Sequence, residues 1–355
     1  MGWVRAETEM GSVAINAEIG NLRELCFVSG ERRIEPLHTA HWVGGGEIPD
    51  DIASVEQDLA GDFFCAPFGQ SDLVDAPPHG WSANSHWTIT RLEPDEVALS
   101  LDTSVMGASI HKALRLSRNA PLLYQTHTID GGQGSLTVAH HPMVHVTGRG
   151  RLFASPKRAA LSPDTPLEPG RNALACPART TDMRTFPASD GRSIDLSHLP
   201  IARSCEDFVT LVEDKASLLG WTAVLREEED DIVFFLKDPR VLPVTMLWHS
   251  NGGRDYAPWN GRHIGVLGIE DGCTAGAAGH KAALTSNAIS REGVATALPL
   301  GAPIYIRHVI GAVPRPEGWT DVADIRLSDA ALILIASDGA ELQLPFDPGF
   351  FAEAS

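Results

Sequence analysis

The residues with the most chemical content in this chain are two histidines and a glutamate, each beside strand-like sequence. His79 stands in Pro77-Pro78-His79-Gly80-Trp81 and His141 in Ala139-His140-His141-Pro142-Met143. Glu270 closes the run Gly265-Val266-Leu267-Gly268-Ile269-Glu270. Imidazoles and carboxylates are the usual movers of protons near neutral pH. The chain has 14 histidines, so context must separate these two from the rest. Pro77-Pro78 fixes the approach to His79 and Gly80 frees the exit, which holds one side chain in a defined place. His141-Pro142 ends a predicted strand, where a side chain can face a cleft. Glu270 reads two ways. It is a carboxylate drawn into a polar cleft, with Gly268 allowing a close approach, or an ordinary strand-end glutamate before the turn Asp271-Gly272. His38, His86, His111, His198 and His308 are read as hydrogen-bonded core or surface residues.

Aromatic and amide side chains gather around these positions. Trp81 follows His79, Gln70 precedes it, and Trp248-His249-Ser250-Asn251 and Trp259-Asn260 lie before Glu270. Flat aromatic faces with polar edges suit a sugar, so Trp81, Gln70, Trp248, His249 and Asn251 are the candidate binding residues. The same mix also suits a plain loop with core tryptophans. His140, His141 and His145 invite a metal reading. On a strand, however, His140 faces away from the other two and no neighbouring carboxylate completes a set, so no metal ligand is assigned. Gly44-Gly45-Gly46 and Gly131-Gly132-Gln133-Gly134 lack a following Lys-Ser/Thr and a strand–helix context, and read as turns rather than phosphate loops.

Short strands must position these groups. The 33 glycines and 24 prolines punctuate short apolar runs, and helical periodicity is scarce, as in an all-β protein. Predicted strands include Glu24–Ser29, Glu96–Thr103, Leu122–Ile129, Gly134–His141, Phe208–Glu213, Asp231–Lys237, Thr245–Trp248, Arg262–Glu270 and Pro303–Ile310. In Glu96–Asp102, Val97, Leu99 and Leu101 share one face. The clearest helix prediction is His280–Arg291, ending at Gly293. A short helical turn is expected around Gln57–Leu59. Residues 155–198 read as a long surface loop inserted in one domain spanning residues 1–355.

Composition excludes several functions. A net charge of −18 disfavours nucleic acid and anionic membranes as partners. No apolar run approaches a membrane span of about 18 residues. The start lacks the apolar core of a signal peptide, so a cytoplasmic location is expected. The five cysteines, an odd number without Cys-x-x-Cys, read as free thiols. The acidic run Glu227–Asp231 reads as a solvated turn.

The ordered elements resemble the aldose 1-epimerase (galactose mutarotase-like) superfamily, most nearly its hexose-6-phosphate mutarotase branch. They are Ala66-Pro67-Phe68-Gly69, Pro78-His79-Gly80-Trp81, Trp87, the strand ending in His141, and the apolar strand ending in Glu270. The opening Val13–Leu25 and the segment Leu298–His308 extend the likeness over roughly residues 10–311. The resemblance implies a large antiparallel β-supersandwich and interconversion of sugar anomers. Glu270 would be the base and His141 the acid, with His79 assisting at the ring oxygen and no cofactor. The partner it implies is a small-molecule sugar. Ala60-Gly61-Asp62 and Trp81-Ser82-Ala83 stand where arginines are common in that family, which argues against a 6-phosphate on the substrate. Two rival readings stay open: a non-catalytic carbohydrate-binding protein on the same fold, and another sugar isomerase or lyase using a metal through His141 and His145.

Overall fold

Two-residue alternation organises the layers of this chain. In Glu96–Leu101, Val97, Leu99 and Leu101 are buried while their neighbours are half-exposed, as the sequence predicts. The computed structural model describes residues 2–45, 48, 49 and 51–352. Gly46, the last residue of the predicted Gly44–Gly46 turn, lies outside them.

Two large antiparallel sheets carry the architecture. A nine-stranded sheet runs in the spatial order His198–Leu199, Gly150–Ala154, Gly220–Arg226, Asp231–Lys237, Ile304–Pro314, Leu122–Gly131, Ala108–Leu116, Glu96–Leu101, Trp87–Glu93. An eight-stranded sheet runs Arg179–Thr180, Lys157–Leu161, Cys205–Glu213, Val244–Asn251, Val266–Cys273, Val138–His140, Phe64–Cys65. Its eighth strand, Met143–His145, shares Val266–Cys273 with Val138–His140. One apolar core lies between the sheets, with Val209, Leu247 and Ile269 from one side and Val233, Phe235 and Ile310 from the other. The fold is an all-β supersandwich. A four-stranded N-terminal sheet, residues 3–34, and a three-stranded C-terminal sheet, residues 324–345, flank it. Ile325, Leu332 and Leu334 of the C-terminal sheet pack with Trp221 and Phe234 of the nine-stranded sheet.

The second layer that matters here covers the opposite face of the eight-stranded sheet. Even-numbered residues of Cys205–Glu213 and Val244–Asn251, such as Phe208 and Trp248, leave the inter-sheet core and pack with Trp42, Val55, Leu59, Phe63 and Phe68. Residues 40–45 and 51–63, with Phe68, thus cover that face, and the gap beneath them is the cavity described below.

Several local expectations are corrected. The helix predicted over His280–Arg291 is one turn, His280–Ala283, followed by a 3₁₀ turn at Ser290–Glu292. Gly279 offers no capping side chain, and Asn287 Nδ2 donates to the carbonyls of Ala282 and Thr285, competing with helical bonds. The stretch 155–198 is not wholly loop, because Lys157–Leu161 pairs with Cys205–Glu213 inside the sheet. The predicted Gly134–His141 strand is two pieces, Ser135–Leu136 and Val138–His140. Glu270 lies mid-strand rather than at a strand end, and Asp271-Gly272 continues the strand. A Cβ on Gly272 would stand 2.7 Å from the Val138 carbonyl, so glycine here serves close strand packing rather than a turn. No helix among the described residues is long and apolar enough to cross a membrane, and all five cysteines are free.

Candidate functional site

The pairing register of the central strands brings an acid and a base together. Ala139 pairs with Gly272 and Met143 with Gly268, so His141 stands opposite Glu270. His141 Nε2 lies 3.2 Å from Glu270 Oε1, and both side chains are buried. Pro142 interrupts the outer strand at this point, yet its carbonyl still accepts Ile269 N at 2.9 Å and the register holds. Gly268 is required on the same face. A Cβ there would meet Glu270 Oε1 at 2.9 Å and Trp248 Cβ at 3.1 Å.

His79 reaches the pair from a strained loop. It has φ 65° and Gly80 has φ 76°, and a Cβ on Gly80 would strike the Ala66 carbonyl at 2.0 Å. The loop is held by His79 N donating to Gly69 O at 2.7 Å. The His79 ring meets His141 edge to face at 5.3 Å, and its Nδ1 lies 3.3 Å from Cys65 Sγ. Phe63 stacks on His141 at 4.3 Å.

These three side chains line one cavity of about 230 Å³. That volume suits a ligand of monosaccharide size. Gln70 and Trp248, both candidate binding residues, also line it, with Phe68, Phe208, Trp259 and Arg254. The other candidates lie elsewhere. His249 and Asn251 face away because neighbours of Trp248 alternate across the strand. His249 lies on a separate small cavity with Cys205, and Asn251 ties down loops through Ala202 O and Gly265 N. Trp81 turns after Gly80 into a 3₁₀ turn and packs against the inter-sheet core.

The sequence reading missed Arg254, Phe63, Phe68 and Phe208 as lining residues. Arg254 lies within the Trp248–Tyr256 segment that drew attention, but strand alternation alone gives no sign of a loop residue folding back. Its guanidinium lies over Trp259 at 4.3 Å, and its Nε is 3.2 Å from Glu168 and 3.3 Å from Glu206. Glu206 also accepts the Trp248 indole N–H at 2.6 Å, which fixes that ring.

Burial sets the protonation of the site. It pushes His141 down to about 3, with His79 adding to the effect, and His79 down to about 4. It pushes Glu270 well above the usual carboxylate range. Burial thus favours the neutral carboxylic acid and the neutral imidazole, which lie 3.2 Å apart. Glu270 Oε2 and His141 Nδ1 are buried without a hydrogen-bond partner. Orphaned polar atoms at a cavity floor call for a ligand.

A second polar cluster lies behind the site, in the inter-sheet core. Asp62 Oδ1 accepts the backbone N–H of His141 at 2.9 Å, and its Oδ2 accepts Gln125 Nε2 at 2.8 Å. Burial would raise Asp62, but His140, His308 and Gln125 together hold it down to about 2. Asp62, His140 and His308 are close enough to suggest a metal centre. Their orientation does not fit one. The His140 and His308 rings stack face to face at 4.2 Å and 15°, Gln125 Nε2 bridges Asp62 and His308 Nδ1, and His308 Nε2 is taken by Asp271 Oδ2 at 3.0 Å. His141 and His145 are not part of this group, and His145 Nδ1 faces His38 Nδ1 at 3.3 Å.

Comparison with solved structures gives the fold independently. A protein of Escherichia coli K12 provisionally named an aldose 1-epimerase matches with a TM-score of 0.58 at 14% identity, covering 88% of this chain and 98% of that one. A galactose mutarotase related enzyme from Lactobacillus acidophilus matches with a TM-score of 0.53 at 13% identity, covering 89% and 98%. A galactose mutarotase-like protein from Lactobacillus casei matches with a TM-score of 0.54 at 12% identity, covering 88% and 100%. No family model matches the chain, and no curated protein does. The chain thus has the galactose mutarotase-like fold, and identities this low fix the fold and not the activity.

Proposed function

We propose that this protein is an aldose 1-epimerase that interconverts the anomers of a neutral sugar. The observation that carries the reading is the buried His141–Glu270 pair, 3.2 Å apart on the floor of a monosaccharide-sized cavity. Transfer of the carboxyl proton from Glu270 to His141 gives a carboxylate and an imidazolium without exchange with solvent. The carboxylate then takes the proton from the O1 hydroxyl. The C1–O5 bond breaks as the C1 carbonyl forms, and O5 receives its proton from His141. This leaves the pair in its neutral form beside the open-chain sugar. Rotation about C1–C2 and the reverse steps close the other anomer. His79, beside His141, helps to orient the ring oxygen. No cofactor enters these steps. Anomer exchange measured by saturation-transfer NMR tests the reading, and no acceleration for any common aldose would favour the binding-protein alternative.

The same proton count has a consequence for pH. The pair loses its base when it gains a second proton, below about pH 3, and loses its acid only above the raised Glu270 value. The kcat/KM profile should therefore show no acid limb at the ordinary histidine value of 6.5. Such a limb would show that His141 titrates as a free imidazole and would overturn the neutral-pair assignment.

A phosphorylated hexose should gain nothing over the free sugar. Arg254 is the only Lys or Arg lining the cavity among the described residues, and Glu168 and Glu206 already face it. Calorimetry with glucose and glucose 6-phosphate decides this. A strong, salt-sensitive preference for the phosphate is the contrary result.

A further inference from the structure

The cavity is aromatic where it meets the histidines: Phe63 stacks on His141 at 4.3 Å, Trp248 meets His141 edge to face at 5.7 Å, and Phe68 meets His79 at 5.6 Å. Its polar atoms converge at the floor, on His79, His141 and Glu270. The apolar and aromatic lining beside them is Leu59, Phe63, Phe68, Phe208, Trp248 and Trp259. The Trp248 N–H is already given to Glu206, and the Arg254 guanidinium lies over Trp259 with its Nε facing two carboxylates. The other polar lining side chains are Gln70, which is exposed, and Glu56, which is half-buried.

Sugar geometry decides which hydroxyls meet that wall. Placing O1 and O5 against His141 and Glu270 puts C1 and the ring oxygen deepest. The substituents next to that edge are the 2-hydroxyl on C2 and the hydroxymethyl group on C5. These enter the aromatic zone, whereas the 3- and 4-hydroxyls point toward the mouth, Gln70 and water. A hydroxyl buried against an apolar wall loses its hydrogen bonds to water without replacement.

We propose that the site is built for neutral aldoses lacking a hydroxyl at C6 or C2. A methyl at C5 or a methylene at C2 gains contact with the rings and strands no polar atom. The inference rests on the anomerisation reading and deepens it by naming the substrate class.

The test uses the wild-type protein and four probes: D-glucose, 6-deoxy-D-glucose, 2-deoxy-D-glucose and 3-deoxy-D-glucose. Anomer exchange is followed by saturation-transfer NMR, with each rate divided by the uncatalysed rate of the same sugar and with Glu270→Gln as the blank. The 6-deoxy and 2-deoxy sugars should exceed glucose in kcat/KM by roughly 10- to 100-fold, while 3-deoxyglucose stays within a few-fold of glucose. Glucose turned over as well as the 6-deoxy and 2-deoxy sugars would overturn the apolar-wall inference and leave the anomerisation reading standing. Equal gains at all three deoxy positions would overturn the placement of the sugar, and the proposal with it. Failure of every probe to exceed the blank would overturn both the inference and the reading beneath it.

Discussion

Glu270→Gln is expected to bind sugar nearly as well as the wild type and to lose about 10²–10⁴-fold in anomerisation rate. The amide keeps the shape of the side chain but cannot take the O1 proton. His141→Asn should lose rate to a similar degree, because no acid remains to protonate O5. The two side chains lie 3.2 Å apart and in the proposed reaction act as a unit, so the double variant should lose less than the product of the two single losses. Anomer exchange by NMR, with binding by calorimetry, separates the outcomes. A Glu270→Gln protein that exchanges anomers at the wild-type rate would make Glu270 a structural residue.

Asp271→Ala should be the most damaging change to stability near the site. Asp271 neighbours Glu270 but faces the inter-sheet core. It accepts Thr245 Oγ1 at 2.6 Å, lies 3.0 Å from His308 Nε2, and sits 2.8 Å from the ammonium of the buried Lys237. Lys237 also meets Glu213 at 3.1 Å. Removing one carboxylate from such a cluster leaves a buried charge poorly compensated, at about 3–5 kcal/mol. That is a large share of the roughly 5–15 kcal/mol that holds a domain folded. Denaturant midpoints measure the loss, and Asp271→Asn, which still offers an acceptor, should lose less.

The pH dependence of that loss follows from the same contacts. Burial would raise the Asp271 carboxyl, but Lys237 and His308 hold it far below the ordinary range. A depressed native value means the contribution is complete above the unfolded value of about 3.8 and fades as pH falls below it. The gap between wild type and Asp271→Ala should therefore narrow in acid. A constant gap would mean that packing, not charge, carries the effect.

The strand content was legible because alternation and turn residues are local signals. Glu96–Leu101 shows its buried face directly in Val97, Leu99 and Leu101. The proposed helix at His280–Arg291 failed because propensity was read without caps, and Asn287 takes the helical carbonyls for itself. His79, His141 and Glu270 stood out by context, but their meeting depends on a register no single segment encodes. Whether a residue faces the cavity or the core turns on one step along a strand. His141 and Glu270 face the cavity, whereas His140 and Asp271 face the inter-sheet network. By the same step Trp248 reaches the cavity and His249 does not.

The sequence by itself determined the all-β class, the order of the motif-bearing segments, and the residue types available for proton transfer. These follow from period, punctuation and composition, which act over a few residues. The tertiary structure decided the rest. Pairing of Val266–Cys273 with the segments around His141 set His141 beside Glu270, and burial beneath residues 51–63 and Phe68 shifted both groups toward neutrality. The rings of Phe63, Phe68 and Phe208 then gave the cavity an aromatic wall, and the loop carrying Arg254 brought a cation to it. Those effects depend on contacts between residues far apart in the chain, and on the dielectric that such contacts create.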